Sequence, residues 1–286
     1  MLAAIDLRMY PKTDAELPHP CAHLVHAALL DAVRSVDPSL SSEMHDTSQV
    51  KPFALSTLWP RTRASGDTLA VPKYTECRLR VCALTRPVFE AVSAALFPRL
   101  ASNGSIRLAS HEFKLLHAAL ESPYGGAAEY ADLLHDRGAG IDLRFTSPAT
   151  FRRRGLNVPL PDPMLVYGSL WQKWQAFSNV QVPESVFEEM SAALALSRMD
   201  GHTRVWKFPR YMMTGFVGIA GYELVGKVSA AARELFGALS SLAFFAGVGY
   251  RTTMGMGQCR VAADTAEDDT ADSDRDVPQE SSCHAV

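Results

Sequence analysis

The chain has 286 residues, of which 47% are hydrophobic and 21% charged, a balance that excludes a wholly disordered chain and suits two modest domains or one large one. Its formal net charge of -3 averages two unlike regions. Residues 264–286 hold eight of the 31 acidic residues and one of the 28 basic ones, which leaves 27 basic against 23 acidic residues in a body that suits a polyanionic partner.

Leu2 to Tyr10 reads as a strand ended by Pro11, with no signal-peptide core around Asp6 and Arg8. His19 to Val36 carries Leu24, Ala28, Ala32 and Val36 at helical spacing, and Pro38 follows. Ser39 to Val50 is polar and unperiodic, so a loop is expected, and Lys51 to Leu58 a short strand. From Tyr74 to Ala83 apolar residues alternate with Glu76, Arg78 and Arg80, the period of a half-buried strand with one basic face. Pro87 to Leu100 reads as a helix and Ser105 to Phe113 as a strand. The resulting order, βαββαβ, is the ferredoxin-like unit.

Glycines between Gly125 and Gly140 mark a boundary, after which the order repeats. Ile141 to Thr146 reads as a strand, and Pro163 to Phe177 and Pro183 to Met199 as helices. Thr203 to Phe208 and Thr214 to Leu224 read as strands, Ser229 to Phe245 as a helix, and Gly257 to Ala263 as a closing strand. The expected fold is therefore α+β, with two tandem ferredoxin-like (RRM-like) domains over 1–137 and 138–263 and a disordered acidic tail over 264–286. Ala238 to Tyr250 is too short and too polar to span a bilayer. The scattered cysteines (Cys21, Cys77, Cys82, Cys259, Cys283) hold no CxxC pair, which argues for free thiols in a reducing cytoplasm, with no metal site and no cofactor expected.

The most specific local signal is Gly247-Val-Gly-Tyr-Arg-Thr-Thr-Met-Gly-Met-Gly257. Glycines permit positive φ and close approach of another chain, and exposed N–H groups can hold phosphate. No Gly-Lys-Ser/Thr follows, so this is not a P-loop. It also lies after a helix and before a strand, the reverse of a dinucleotide fingerprint. A tight helix-to-strand crossover explains the glycines equally well.

The loop closes an ordered set of segments. Lys51-Pro-Phe-Ala-Leu-Ser-Thr-Leu58 comes first, then Phe145-Thr-Ser-Pro-Ala-Thr-Phe-Arg152 with Leu160-Pro-Asp-Pro163, then Phe216-Val-Gly-Ile-Ala-Gly-Tyr222. In this set the chain resembles the CRISPR-associated endoribonuclease that processes repeat RNA, of the RAMP superfamily. The resemblance implies paired ferredoxin-like domains, CRISPR repeat RNA as partner and metal-independent cutting into guide RNAs.

Such cleavage uses the 2′-hydroxyl as nucleophile and needs a base, an acid and positive charge on the phosphorane-like transition state. His45 lies where the resembling enzymes keep a catalytic histidine, and Lys51 is placed to neutralise the phosphate. Some relatives keep a tyrosine at the position of Leu30, and His26, one helical turn earlier, is the candidate substitute. For RNA binding the candidates are Arg152, Arg153, Arg154, Tyr250, Arg251 and the loop glycines Gly247, Gly249, Gly255 and Gly257. Arg61, Arg63, Lys73, Lys207 and Arg210 are weaker basic candidates. Trp171 and Trp174 share a helix face and read as core. The alternative reading is a non-catalytic RNA-binding subunit of a CRISPR effector complex, and other effector subunits are further possible partners.

Overall fold

A computed structural model describes residues 1–46, 50–60 and 64–264. The first half contains β1 (Leu2–Pro11), β2 (Ala15–Pro18), α1 (Ala22–Arg34), α2 (Pro38–His45), β3 (Phe53–Leu55), β4 (Trp59–Pro60), β5 (Thr68–Val71), β6 (Cys77–Ala83), α3 (Arg86–Ala101), β7 (Ser105–Leu108), β8 (His111–Ala119) and β9 (Gly126–Ala128). The second contains β10 (Gly140–Ala149), β11 (Phe151–Arg153), β12 (Leu156–Val158), α4 (Pro163–Phe177), α5 (Glu184–Ala193), β13 (Leu194–Lys207), β14 (Met212–Leu224), α6 (Ala230–Ala246) and β15 (Cys259–Val261).

The first sheet runs β3-β6-β1-β8-β7 and the second β13-β14-β10-β15. Numbering the main strands of each half from its first, both read 2-3-1-4, so the two ferredoxin-like units expected from the sequence are present. Alternation along β1 explains how they join. Ile5, Leu7 and Met9 face the first half's own helices, whereas Leu2 and Ala4 enter the core of the second half, packed with Trp174, Tyr167 and Leu242. Arg80, on β6, points the same way. It donates to Gln258 Oε1 at 3.0 Å and to the Phe244 carbonyl, with its guanidinium 4.0 Å above the Phe244 ring.

That contact corrects the expected half-buried strand, because the second half covers Arg80, which is 4% exposed, while Arg78 stays over Tyr124 of the first half. The expected Ser39–Val50 loop is largely α2. Asp37 accepts from the Leu40 N–H and Pro38 opens the helix, but only Ser41 and Met44 are buried, too few to show a period. The strand expected over Lys51–Leu58 is shorter, β3 at Phe53–Leu55, and β4 follows beyond its expected end. The one expected over Ser105–Phe113 is a hairpin, with Ala109 at φ 53° in its turn. The helix expected to reach Met199 stops at Ala193, and β13 begins at once because its residues pair along β14 from Leu194↔Leu224 to Lys207↔Met212. Arg61, Arg63 and all of the acidic tail except Asp264 lie outside the described residues. No helix among the described residues is long and apolar enough to cross a membrane.

Candidate active site

α1 carries His26 on the side facing β3 and the glycine loop. Its ring stacks on Phe53 at 5.7 Å and 29°, and its Nδ1 lies 3.0 Å from the Thr253 carbonyl. A carbonyl can only accept, so Nδ1 carries the proton and the lone pair of a neutral ring sits on Nε2. Burial pushes the His26 pKa down and the Thr253 bond opposes it. The positive charge of His45, Lys51 and Arg251 adds to the lowering.

His45 is exposed at the last residue of α2, at a helix end where the sequence suggested a loop. Lys51 fastens this end, donating to the Met44 carbonyl at 2.9 Å and to the Asp46 carbonyl. The two acceptors flank His45, so the ammonium closes the helix terminus while holding the histidine in place. Partial burial lowers the Lys51 pKa, with the Asp46 carboxylate acting against it.

The glycine loop fills the gap between the halves. Gly247, Gly249, Gly255 and Gly257 all have φ between +62° and +81°. A Cβ on Gly257 would strike the Val248 carbonyl, and one on Gly255 would meet Trp206, Ala22 and the Thr57 nitrogen. Gly247, Gly255 and Gly257 are buried. Three of the four glycine N–H groups are already taken inside the protein: Gly247 donates to Ala243, Gly249 to the Ser169 hydroxyl and Gly257 to Pro148. These glycines let the turn Thr252–Met254 sit against α1 and β3, which brings Thr253 to His26.

The loop's half-buried margin is cationic and aromatic. Arg251, in the left-handed conformation at φ 62°, holds its guanidinium 4.9 Å from the Tyr250 ring and 5.9 Å from Tyr211. Arg152 approaches Tyr250 from the β11–β12 hairpin at 5.3 Å. Arg153 and Arg154 lie further out on that exposed hairpin. Lys207 pairs with Asp67, and Lys73 lies over Tyr74, so neither joins the margin. The structure thus gathers His26, His45, Lys51 and Arg251 on one side of the junction, and Arg152 with Tyr250 beside them.

Sequence reasoning missed Thr253, which acts through its carbonyl, and Tyr211, which stacks on Phe208 at 4.7 Å. No side-chain pattern announces a carbonyl. Aromatic residues either side of Pro209-Arg210 were a signal for the second.

Residues 1–135 match the family model described as the CRISPR Cas6 N-terminal domain, and residues 143–259 match that of CRISPR-associated endoribonuclease Cas6. The chain belongs to the Cas6 family. A CRISPR-associated endoribonuclease Cas6 of Mycobacterium tuberculosis is 30% identical over 120 residues, covering 42% of this chain and 38% of that protein. The matched stretch therefore spans well under half the length of that relative. Among solved structures, one Cas6 product complex aligns at 28% identity and TM-score 0.72, covering 91% of this chain and 99% of the other. A second Cas6 product complex aligns at 26% and 0.76, covering 91% and 100%. A Thermus thermophilus Cas6 aligns at 25% and 0.68, covering 91% and 98%. The Cas6 fold thus extends over nearly all of the described chain.

Proposed function

We propose that this Cas6-family chain binds CRISPR repeat RNA and cuts precursor transcripts into guide RNAs, without metal, by attack of the 2′-hydroxyl on the adjacent phosphate. The observation that carries this reading is the meeting of His26 with the Thr253 carbonyl, beside His45, Lys51 and Arg251. Two imidazoles supply the base and acid that transesterification needs, and two cations supply charge for the phosphorane-like transition state.

In this scheme His26, kept neutral by burial, presents Nε2 as the proton acceptor. His45, exposed at the end of α2, protonates the 5′-oxygen leaving group. Lys51 and Arg251 stabilise the phosphate oxygens. Arg152, Arg153 and Arg154 hold the backbone, and Tyr250 stacks on an unpaired base. The buried loop glycines serve RNA binding by shaping this margin. Residues 1–137 then carry most of the chemistry and 138–263 most of the binding, in a cytoplasmic protein open to other effector subunits.

Incubating the protein with labelled repeat RNA in EDTA and mapping the ends tests the reading. A single cut leaving a 2′,3′-cyclic phosphate and a 5′-hydroxyl is expected, and strict dependence on added divalent metal would contradict it. Binding without cutting would favour a non-catalytic subunit, the reading to which Leu30 in place of a tyrosine points.

A further inference from the structure

α4 presents a buried charge that the proposed chemistry does not use. Lys173 lies between Trp171 and Trp174, is 6% exposed, and directs its ammonium to the neck of the glycine loop. Nζ donates to the Ala246 carbonyl at 2.7 Å, to the Gly247 carbonyl at 2.8 Å and to the Thr252 hydroxyl at 3.4 Å. The first two oxygens lie where α6 ends and the third on the far side of the loop, so one ammonium ties the two sides together.

Two of these contacts cap α6, whose last carbonyls have no partner within the helix. Gly247, at φ +62° and ψ 170°, leaves the helical path after its N–H makes the last helical bond, to the Ala243 carbonyl at 3.0 Å. An ammonium taken out of water is costly, and burial pushes the Lys173 pKa down to about 7. The third partner, the Thr252 hydroxyl, lies beyond the helix and suggests a role past capping. Thr252 precedes Thr253, whose carbonyl receives the His26 Nδ1 proton.

We propose that Lys173 is a positioning residue for cleavage: by tying Gly247 to Thr252 it fixes the Thr253 carbonyl, and through it the tautomer and aim of His26. The inference rests on the reading of His26 as the proton acceptor. With the carbonyl in place, Nδ1 keeps the proton and Nε2 is the base. Were the carbonyl to drift, the Nε2–H tautomer would compete and turn the lone pair toward the buried side of the ring. The groups bearing on His26 are Phe53 on β3, Thr253 in the loop, and the charges of His45, Lys51 and Arg251. Those bearing on Lys173 are Cys82 on β6 and the three oxygens named.

The test joins a spectroscopic and a kinetic reading of Lys173→Met in the full chain. Nitrogen NMR of the His26 ring above its pKa should show the Nδ1–H tautomer in the parent and a mixture in the variant. Single-turnover cleavage of labelled repeat RNA at saturating protein should fall about tenfold or more while affinity holds. An unchanged tautomer with an unchanged saturated rate, whatever happens to Tm, would overturn the proposal and leave Lys173 a packing residue. Thr252→Val removes only the hydroxyl contact and should move both readings less, in the same direction. If Lys173→Met does not fold, an unchanged tautomer in Thr252→Val overturns the idea. His26→Ala separates the two claims. Cleavage at the parent rate would sink the catalytic reading of His26, whereas the tautomer still decides whether Lys173 positions the ring.

Discussion

The Thr253 carbonyl decides what His26 can do. It fixes the proton on Nδ1, while burial against Phe53 and the nearby cations keep the ring neutral below its ordinary pKa of about 6.5. Because the proposed base must be neutral, the depressed pKa lets it work as pH falls. As pH falls, the single-turnover rate should therefore hold down to about 6.5 and decline below it, while loss of the His45 proton sets a separate decline on the alkaline side. An acid-side decline that starts above that pH, in a pH–rate profile at saturating protein, would remove His26 from the role. His26 was legible as a candidate from its place one turn before Leu30. Its carbonyl partner was not, because Thr253 is 227 residues away and contributes only backbone.

The glycine loop and α2 show how far local pattern reaches at the scale of an element. The glycine spacing marks a loop of unusual backbone, and all four glycines do adopt positive φ. What the spacing cannot show is which way the glycine N–H groups point, and three of the four turn inward to Ala243, Ser169 and Pro148. For α2 the start signal, Asp37-Pro38, is in the sequence, but the helix buries too little to give a period. The Phe177 end of α4 was legible because Asp162-Pro163 opens an apolar run that closes on Ser178. Gly257→Ala should test the loop as a unit. A Cβ there meets the Val248 carbonyl in a left-handed backbone, so stability should fall by about 1–3 kcal/mol in denaturant unfolding. An unchanged midpoint would mean that the loop is not rigidly seated.

The first half keeps a core of its own and lends Leu2, Ala4 and Cys82 to that of the second, and the candidate site exists only where the halves meet. His26, His45 and Lys51 come from the first half, and Arg251 and Thr253 from the second. The repeated βαββαβ order was legible from period and punctuation. The junction was not, because Arg80 looks like part of a solvated face until the second half covers it. Arg80→Ala removes the donor to Gln258 Oε1 and to the Phe244 carbonyl inside this junction. It should cost about 2–4 kcal/mol by thermal unfolding, and a loss within about 0.5 kcal/mol would show that the junction does not depend on that contact.

The most direct measurement of the histidine mechanism is single-turnover cleavage of labelled repeat RNA by His45→Ala in EDTA, with RNA binding measured on the same sample. Cleavage should fall by about 10²-fold or more while affinity stays near that of the parent. Cleavage at the parent rate would place the chemistry elsewhere.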